Sequence, residues 1–152
     1  MKVFIVFLGL FIVSASAIVY QGDLGVYNHE QLLLKEAAEE CAAGASLLLD
    51  QEQFSKGSIV FDDEEGENYT ENYLAYIKRN SKALSNGVVH FEMGFEDEKR
   101  GYSPSNVEKI PAITVKIKVA TADLFRVPFI KVTSLERSAR YELPEGKYKK
   151  IF

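Results

Sequence analysis

The sequence predicts an α+β fold in which a long N-terminal helix and a second helix pack on one face of a small antiparallel sheet. Three observations support this fold class. The first 20 residues are almost entirely apolar, the next 30 have helical periodicity, and the second half of the chain contains segments in which apolar and polar residues alternate. Helical segments followed by alternating strands with short connections are typical of helices stacked on an antiparallel meander.

The apolar run extends from Val3 to Tyr20, with Lys2 as the only charged residue before it. A helix of roughly 18 residues just spans a hydrocarbon layer of about 30 Å. This predicts a membrane anchor with a cytoplasmic N-terminus and an exported domain. The same run also has the form of a secretory signal, since Ala15 and Ala17 make an A-x-A site for signal peptidase. Residues 1–20 are therefore interpreted as a transmembrane anchor or as a signal segment cleaved after Ala17.

Composition limits the remaining 21–152 segment to one small folded domain. The chain is 47% hydrophobic and 26% charged, which is typical of a globular protein. Its net charge is −4, and no basic stripe is present to neutralise phosphates, so we predict no nucleic-acid partner. Cys41 is the only cysteine, which excludes an internal disulfide and a cysteine zinc site.

A helix is predicted over 24–50 because small and apolar residues recur there at spacings of three and four. The resulting stripe is narrow and consists mostly of alanine. Small side chains allow another helix to approach closely. We therefore predict a helix-packing interface with another subunit, made by Leu34, Ala38, Cys41, Ala42 and Ala45. The alternative is that this stripe only covers the sheet of the same domain.

The segment between the two main helices is predicted to be a connection over 51–68 with one short strand near 58–61. The acidic run Asp62–Glu67 contains a glycine but lacks the alternating ligand register of an EF-hand, so we interpret it as a solvated loop. A second helix is predicted over 69–84, with Asn68 as the first residue of a capping box.

Three strands are predicted in the second half of the chain, near 88–95, 112–120 and 129–143. In the last of these the apolar parity changes at Ser134-Leu135, which predicts a bulge or a bend. The final segment, Pro144–Phe152, is predicted to be a basic tail.

Several motifs in these elements match one known family. In the helical half they are Asp23-Leu24-Gly25-Val26-Tyr27, Gln31-Leu32, Leu34-Lys35-Glu36-Ala37-Ala38 and Cys41-Ala42-Ala43-Gly44-Ala45. In the sheet half they are the strand Ile113–Val119, the connection Phe125–Pro128, the segment Ile130–Ser134 and the segment Ser138–Tyr141. In these motifs the chain resembles the TadE/TadG-like minor pilins (pseudopilins) of tight-adherence pilus systems.

The resemblance implies a pilin-like fold and a non-enzymatic role as a minor pilin or pilus-assembly accessory. Its partners would be the membrane and other pilin or assembly subunits, and it would be a single-pass cell-membrane protein. One feature departs from the family: prepilin-peptidase substrates carry a Gly followed closely by a Glu, whereas no acidic residue lies between Gly9 and Asp23. We therefore expect the leader to be retained. The alternative function is a soluble secreted binding domain released by cleavage after Ala17.

The sequence predicts no catalytic, cofactor or metal site and identifies no small-molecule substrate. His29 lies beside the membrane junction, and His90 lies on the polar face of a predicted strand. Cys41 lies on the apolar stripe, where a thiol is usually inert. The neighbouring Glu39 and Glu40 would raise its pKa further. These features predict that the chain is not an enzyme.

Overall fold

The computed structural model describes residues 2–127 and 129–144, with no description of the Lys82 side chain. Its first element, α1, is one uninterrupted helix of 44 residues. Three shorter helices and three strands follow. The elements are α1 (Lys2–Ala45), α2 (Gln51–Ser55), α3 (Asp63–Ile77), α4 (Lys82–Asn86), β1 (Val88–Glu96), β2 (Ala112–Ala120) and β3 (Ser134–Glu142). This arrangement confirms the predicted α+β fold.

The three strands form one antiparallel sheet in the order β1-β2-β3, as the alternating pattern predicts. Ile117 of β2 lies opposite Phe91 of β1 and Arg137 of β3. The Ile and Val side chains on the inner face of β2 are 0–1% exposed, and Lys116 and Lys118 on the opposite face are exposed. The sheet is therefore covered on one face and solvated on the other, as is common for antiparallel sheets.

The second half of α1 packs on β2 and β3, and α3 packs beside it. The core consists of the alanine-rich stripe of α1, the inner side chains of β2, two residues of α4, one residue each of α3 and β3, and Phe61 from the connection between α2 and α3. Helix α3 lies so close to α1 that a Cβ atom added at Gly44 would be 2.2 Å from the Tyr69 ring. The small residues on α1 thus allow this helix to lie close to the sheet and close to α3.

The end of α1 and the following connection differ from the prediction. The helix ends at Ala45 rather than at residue 50, because Asp50 caps the short helix α2 by accepting from the backbone N–H groups of Glu52 and Gln53. The strand predicted near 58–61 is not formed. Only an isolated bridge joins Leu49 to Phe61, since no neighbouring strand extends the pairing there.

The second main helix begins earlier and ends sooner than predicted. The interpretation of Asp62–Glu67 as a solvated loop is wrong, as is that of Asn68 as the cap. Asp62 is the N-cap, because its Oδ1 accepts from the Glu65 N–H at 3.0 Å, and the acidic residues that follow occupy the first turn. Negative charge is favourable at the positive end of a helix dipole. The helix ends at Ile77, and Ser81 caps the separate helix α4.

Strand β3 begins at Ser134, so the first part of the predicted strand 129–143 belongs to the β2–β3 connection instead. The change in apolar parity at this point marks the start of the strand. Residues Leu124 and Val132 are joined across the connection by a backbone hydrogen bond of 3.1 Å. Residues 145–152 of the predicted basic tail lie outside the described residues.

Candidate functional site: the exposed helix and its junction

The first half of α1 is apolar, and up to its last residue, Tyr20, its side chains are exposed. All side chains from 3 to 20 are exposed, and the best 18-residue window has a mean hydropathy of 2.6 with none of it buried. A contiguous apolar surface of this size marks an interaction site. Its length and composition are those of a membrane-spanning helix or a signal sequence. Ala15 and Ala17 lie within this exposed helix, in helical conformation.

A buried carboxylate lies just beyond the apolar segment. Asp23 is 2% exposed, and its Oδ1 accepts from Arg126 Nε at 2.8 Å while its Oδ2 accepts from the Arg126 backbone N–H at 2.8 Å. The backbone hydrogen bond, more than the nearby guanidinium charge, lowers the pKa of Asp23, although burial opposes the shift. Charge-assisted hydrogen bonds of this kind are stronger than neutral ones. They attach the β2–β3 connection to α1.

Three aromatic rings strengthen the same attachment. Tyr20 and Tyr27 lie two turns apart on one face of α1. Both pack against Phe125, with ring centroids 6.0 and 5.9 Å away. Tilted aromatic pairs at such distances are favourable beyond the area that they bury. We call Tyr20, Asp23, Tyr27, Phe125 and Arg126 the junction clamp.

The sequence identified half of this clamp. Asp23 and Tyr27 belong to one of the motifs that carry the family resemblance, and Tyr20 ends the apolar run. The sequence did not predict that these residues contact Phe125 and Arg126. Spacing along the chain carries no information on which connection packs against which helix. What the sequence does show is that Asp23 is the first acidic residue after the apolar run and that Arg126 lies in a connection that contains aromatic residues.

A second buried acid attaches α1 to the start of α4. Glu30 is buried, and its Oε2 accepts from the Ser81 hydroxyl and from the Ala83 backbone N–H, the latter at 3.3 Å. Ser81 in turn caps α4 through the Leu84 N–H at 3.0 Å. Asp23 and Glu30 are seven residues apart and each holds a different connection. The part of α1 nearest the apolar segment is therefore held to the domain at two places.

The predicted helix-packing interface is buried inside the chain itself. Its members are 0–1% exposed and belong to the core formed with the sheet and α3: Leu34, Ala38, Cys41, Ala42 and Ala45. The packing partner that the structure gives them is the one named in the alternative interpretation, the domain's own sheet. A partner subunit would have to contact other residues of α1.

Cys41 is poorly suited to act as a nucleophile. It is completely buried, and burial, with a smaller contribution from the charge of Glu40, raises its pKa to about 11, whereas a hydrogen bond with Thr70 acts in the opposite direction. The thiolate is the reactive form, so a thiol with this pKa is unreactive at neutral pH. His90 is exposed on the outer face of β1. Among the described residues, no group of three or more His, Cys, Asp or Glu side chains is placed to hold a metal ion.

Comparison with models of protein families, with curated proteins and with solved structures gives no match to this chain.

Proposed function

We propose that this protein is a membrane-anchored minor pilin or pilus-assembly accessory without enzymatic activity. The observation that carries the proposal is the division of α1 into two halves within one continuous helix. The side chains of the first half are exposed and almost all apolar, and the second half is built into the core of the sheet domain. An anchor and a domain that share a helix move together.

The exposed half of α1 requires a non-aqueous environment. Large side chains such as Phe4, Ile5 and Val6 point in different directions around the helix and are 61–68% exposed. Exposed in water, each would lose the roughly 1.5–3 kcal/mol that burial of such a side chain provides. A bilayer supplies that environment, and so does a bundle of similar helices. A pilin uses both in turn, in the membrane and in the filament.

The junction clamp supports a structural role for the protein. A chain that only needed a tether would be served by a flexible linker between anchor and domain. Here α1 continues through the junction, and Asp23 and Glu30 bind two different connections of the domain. The orientation of the domain relative to the anchor is thereby fixed, which suits a subunit that must fit into an ordered assembly.

Partner helices would contact the apolar half of α1, because the alanine stripe is buried. Small residues favour close helix packing in lipid, and five lie on this half: Gly9, Ser14, Ala15, Ser16 and Ala17. In this proposal Lys2 stays on the cytoplasmic side and the sheet domain lies outside, following the positive-inside rule. The leader is retained, since no acidic residue follows Gly9 at the position that prepilin peptidase requires.

The alternative proposal is a soluble secreted binding domain. It rests on Ala15 and Ala17, which meet the residue requirement of signal peptidase. Cleavage after Ala17 would leave Tyr20 in the mature chain, so the whole junction clamp would be preserved. The two proposals therefore differ in the fate of residues 1–17 and not in the fold of the domain.

Photo-crosslinking in the native host separates the proposals. A photoreactive phenylalanine analogue placed at Phe11 lies in the middle of the apolar segment, and the matched control at Tyr76 lies on the exposed face of α3. The pilin proposal predicts adducts between position 11 and other subunits with an apolar N-terminal helix, and none of these from position 76. Absence of any protein adduct at position 11, or loss of that position from the mature chain, would contradict it.

A further inference from the structure

We infer that the β2–β3 connection is a second membrane contact, in which the side chain of Phe129 enters the headgroup region beside the point where α1 leaves the bilayer. This inference rests on the proposed anchor, because it uses the position of the bilayer along α1. It adds a lipid-binding surface on the sheet domain that is separate from the transmembrane helix.

The junction clamp places this connection at the level of the membrane surface. Tyr20 is the last residue of the apolar run, and its ring packs on Phe125. Asp23, three residues further along α1, binds Arg126. With a rise of 1.5 Å per residue, these two attachment points lie within about 5 Å along the helix axis. The connection is thus held beside the end of the membrane-spanning segment.

The tip of the connection has the chemistry of an interfacial segment. It reads Val127-Pro128-Phe129-Ile130 and is flanked by Arg126 and Lys131. Phe129 is 102% exposed, and Arg126 and Lys131 are also exposed. Aromatic side chains favour the headgroup region, and basic side chains reach lipid phosphates while their aliphatic stems cover apolar surface.

The backbone of the connection holds this tip in place. Asp123 Oδ1 accepts from the Phe125 N–H at 3.1 Å and from the Val132 N–H at 3.0 Å, which closes the base of the loop. Phe129 has a φ of +88°, in the left-handed region that costs a residue with a side chain about 1–3 kcal/mol. The Ile130 N–H donates to the Val127 carbonyl at 3.4 Å across this position, but the Phe129 ring itself is fully exposed. Insertion into lipid would bury this exposed ring.

A second contact would fix how the domain sits on the membrane. A single transmembrane helix is free to rotate about its axis, and its tilt is set by its neighbours and by residues anchored at the interface. Phe129 belongs to the β2–β3 connection and not to α1, so its insertion would select one rotation. The exposed outer face of the sheet would then be presented in one direction.

The absence of tryptophan from the sequence gives a direct test. We would make Phe129→Trp and, as the matched control, Val107→Trp in the full chain. Val107 is 85% exposed in the connection between β1 and β2, at the opposite end of the sheet. Each variant is reconstituted into vesicles of phosphatidylcholine and phosphatidylglycerol containing lipids brominated on the upper part of the acyl chains, and flotation verifies anchoring.

The inference predicts blue-shifted emission and strong quenching by brominated lipid for the tryptophan at position 129, with neither effect at position 107. Flotation of both variants with no quenching at position 129 would overturn the inference and leave the anchor intact. A blue shift without quenching would assign Phe129 to a contact with a second protein chain and would also overturn it. Failure of both variants to float would refute the anchor and the inference together.

Discussion

The carboxylate of Asp23 is held by the guanidinium and by the backbone N–H of Arg126, a residue 103 positions further along the chain. The carboxylate is buried, whereas the arginine side chain is 75% exposed. A buried carboxylate is tolerated only where hydrogen bonds replace its water. The pair therefore joins α1, just after its apolar segment, to the connection between β2 and β3.

Replacing Asp23 with Asn is expected to loosen the connection without unfolding the sheet. The amide has the same shape but lacks the charge that strengthens both hydrogen bonds. Amide hydrogen exchange over residues 121–133 should become several-fold faster, while exchange in β2 stays unchanged. Glu64→Gln on the exposed face of α3 is the control and should change the exchange rate neither in residues 121–133 nor in β2.

The pH dependence of this contact follows from the lowered pKa of Asp23. A carboxylate with a depressed pKa in the folded state stabilises the fold above its ordinary value of 3.8, and that stabilisation is lost as the pH falls through the depressed value. Protection of the 121–133 amides should therefore decline in acid in the unmodified chain and much less in Asp23→Asn. An equal loss of protection in the two chains would show that ionised Asp23 does not hold the connection to α1.

Glu96 is expected to contribute to acid sensitivity at the other end of the sheet. Its Oε1 accepts from Arg140 Nη1 at 2.6 Å, and this interaction lowers its pKa to about 2. The stabilisation is complete above the ordinary glutamate pKa of about 4.5 and is lost between about pH 4.5 and 2. The Glu96→Gln variant should lose about 1 kcal/mol near neutral pH and show a flatter melting temperature across that acid range. If the melting temperature of the variant fell with pH as steeply as that of the unmodified chain, the Glu96–Arg140 pair would not control the acid sensitivity.

Cys41 is expected to be structural. In the folded protein it should not react with a thiol reagent at pH 8, and it should react fully once the chain is unfolded in denaturant, because both burial and its raised pKa of about 11 oppose attack. Cys41→Ala should cost about 1–2 kcal/mol in the free energy of unfolding and leave function intact. Loss of function in a folded, membrane-bound Cys41→Ala chain would show that the thiol acts chemically.

The alanine stripe gives a prediction about the domain core. Ala38 is fully buried, so Ala38→Leu should overpack the contact of α1 with the sheet and lower the free energy of unfolding by about 1–3 kcal/mol in detergent. Ala75→Leu on the exposed side of α3 is the control and should change it by less than about 0.5 kcal/mol. A normally stable Ala38→Leu chain that failed only in assembly would restore the original interface hypothesis.

Elements defined by local periodicity were predictable from the sequence. The helical spacing of small residues in α1 and the alternation in β2 both lead to the observed elements. Elements defined by a distant partner were not. The segment near 58–61 has strand-like residues but forms only an isolated bridge, from Phe61 to Leu49. The acidic run after Asp62 looks the same in the sequence whether it is a solvated loop or the first turn of a helix.

The candidate site shows the same division. The apolar segment from Val3 to Tyr20 is evident in the sequence and is exposed in the structure. The sequence does not determine what the stripe from Leu34 to Ala45 packs against, because small residues suit a partner helix and a sheet equally well. Contacts such as Asp23 with Arg126 require the folded hairpin to bring its far end back to α1.

The central claim is that the exposed half of α1 is retained and holds the protein in the bilayer. Its most direct measurement is carbonate extraction of membranes from cells that express a C-terminally tagged chain, followed by the intact mass of the product. Ala17→Leu, which blocks signal peptidase without changing the apolar character, is the control. We predict that both chains stay in the membrane pellet with residues 1–20 intact. Recovery of the unmodified chain as a soluble species beginning at Ile18, with only Ala17→Leu in the membrane, would contradict the account.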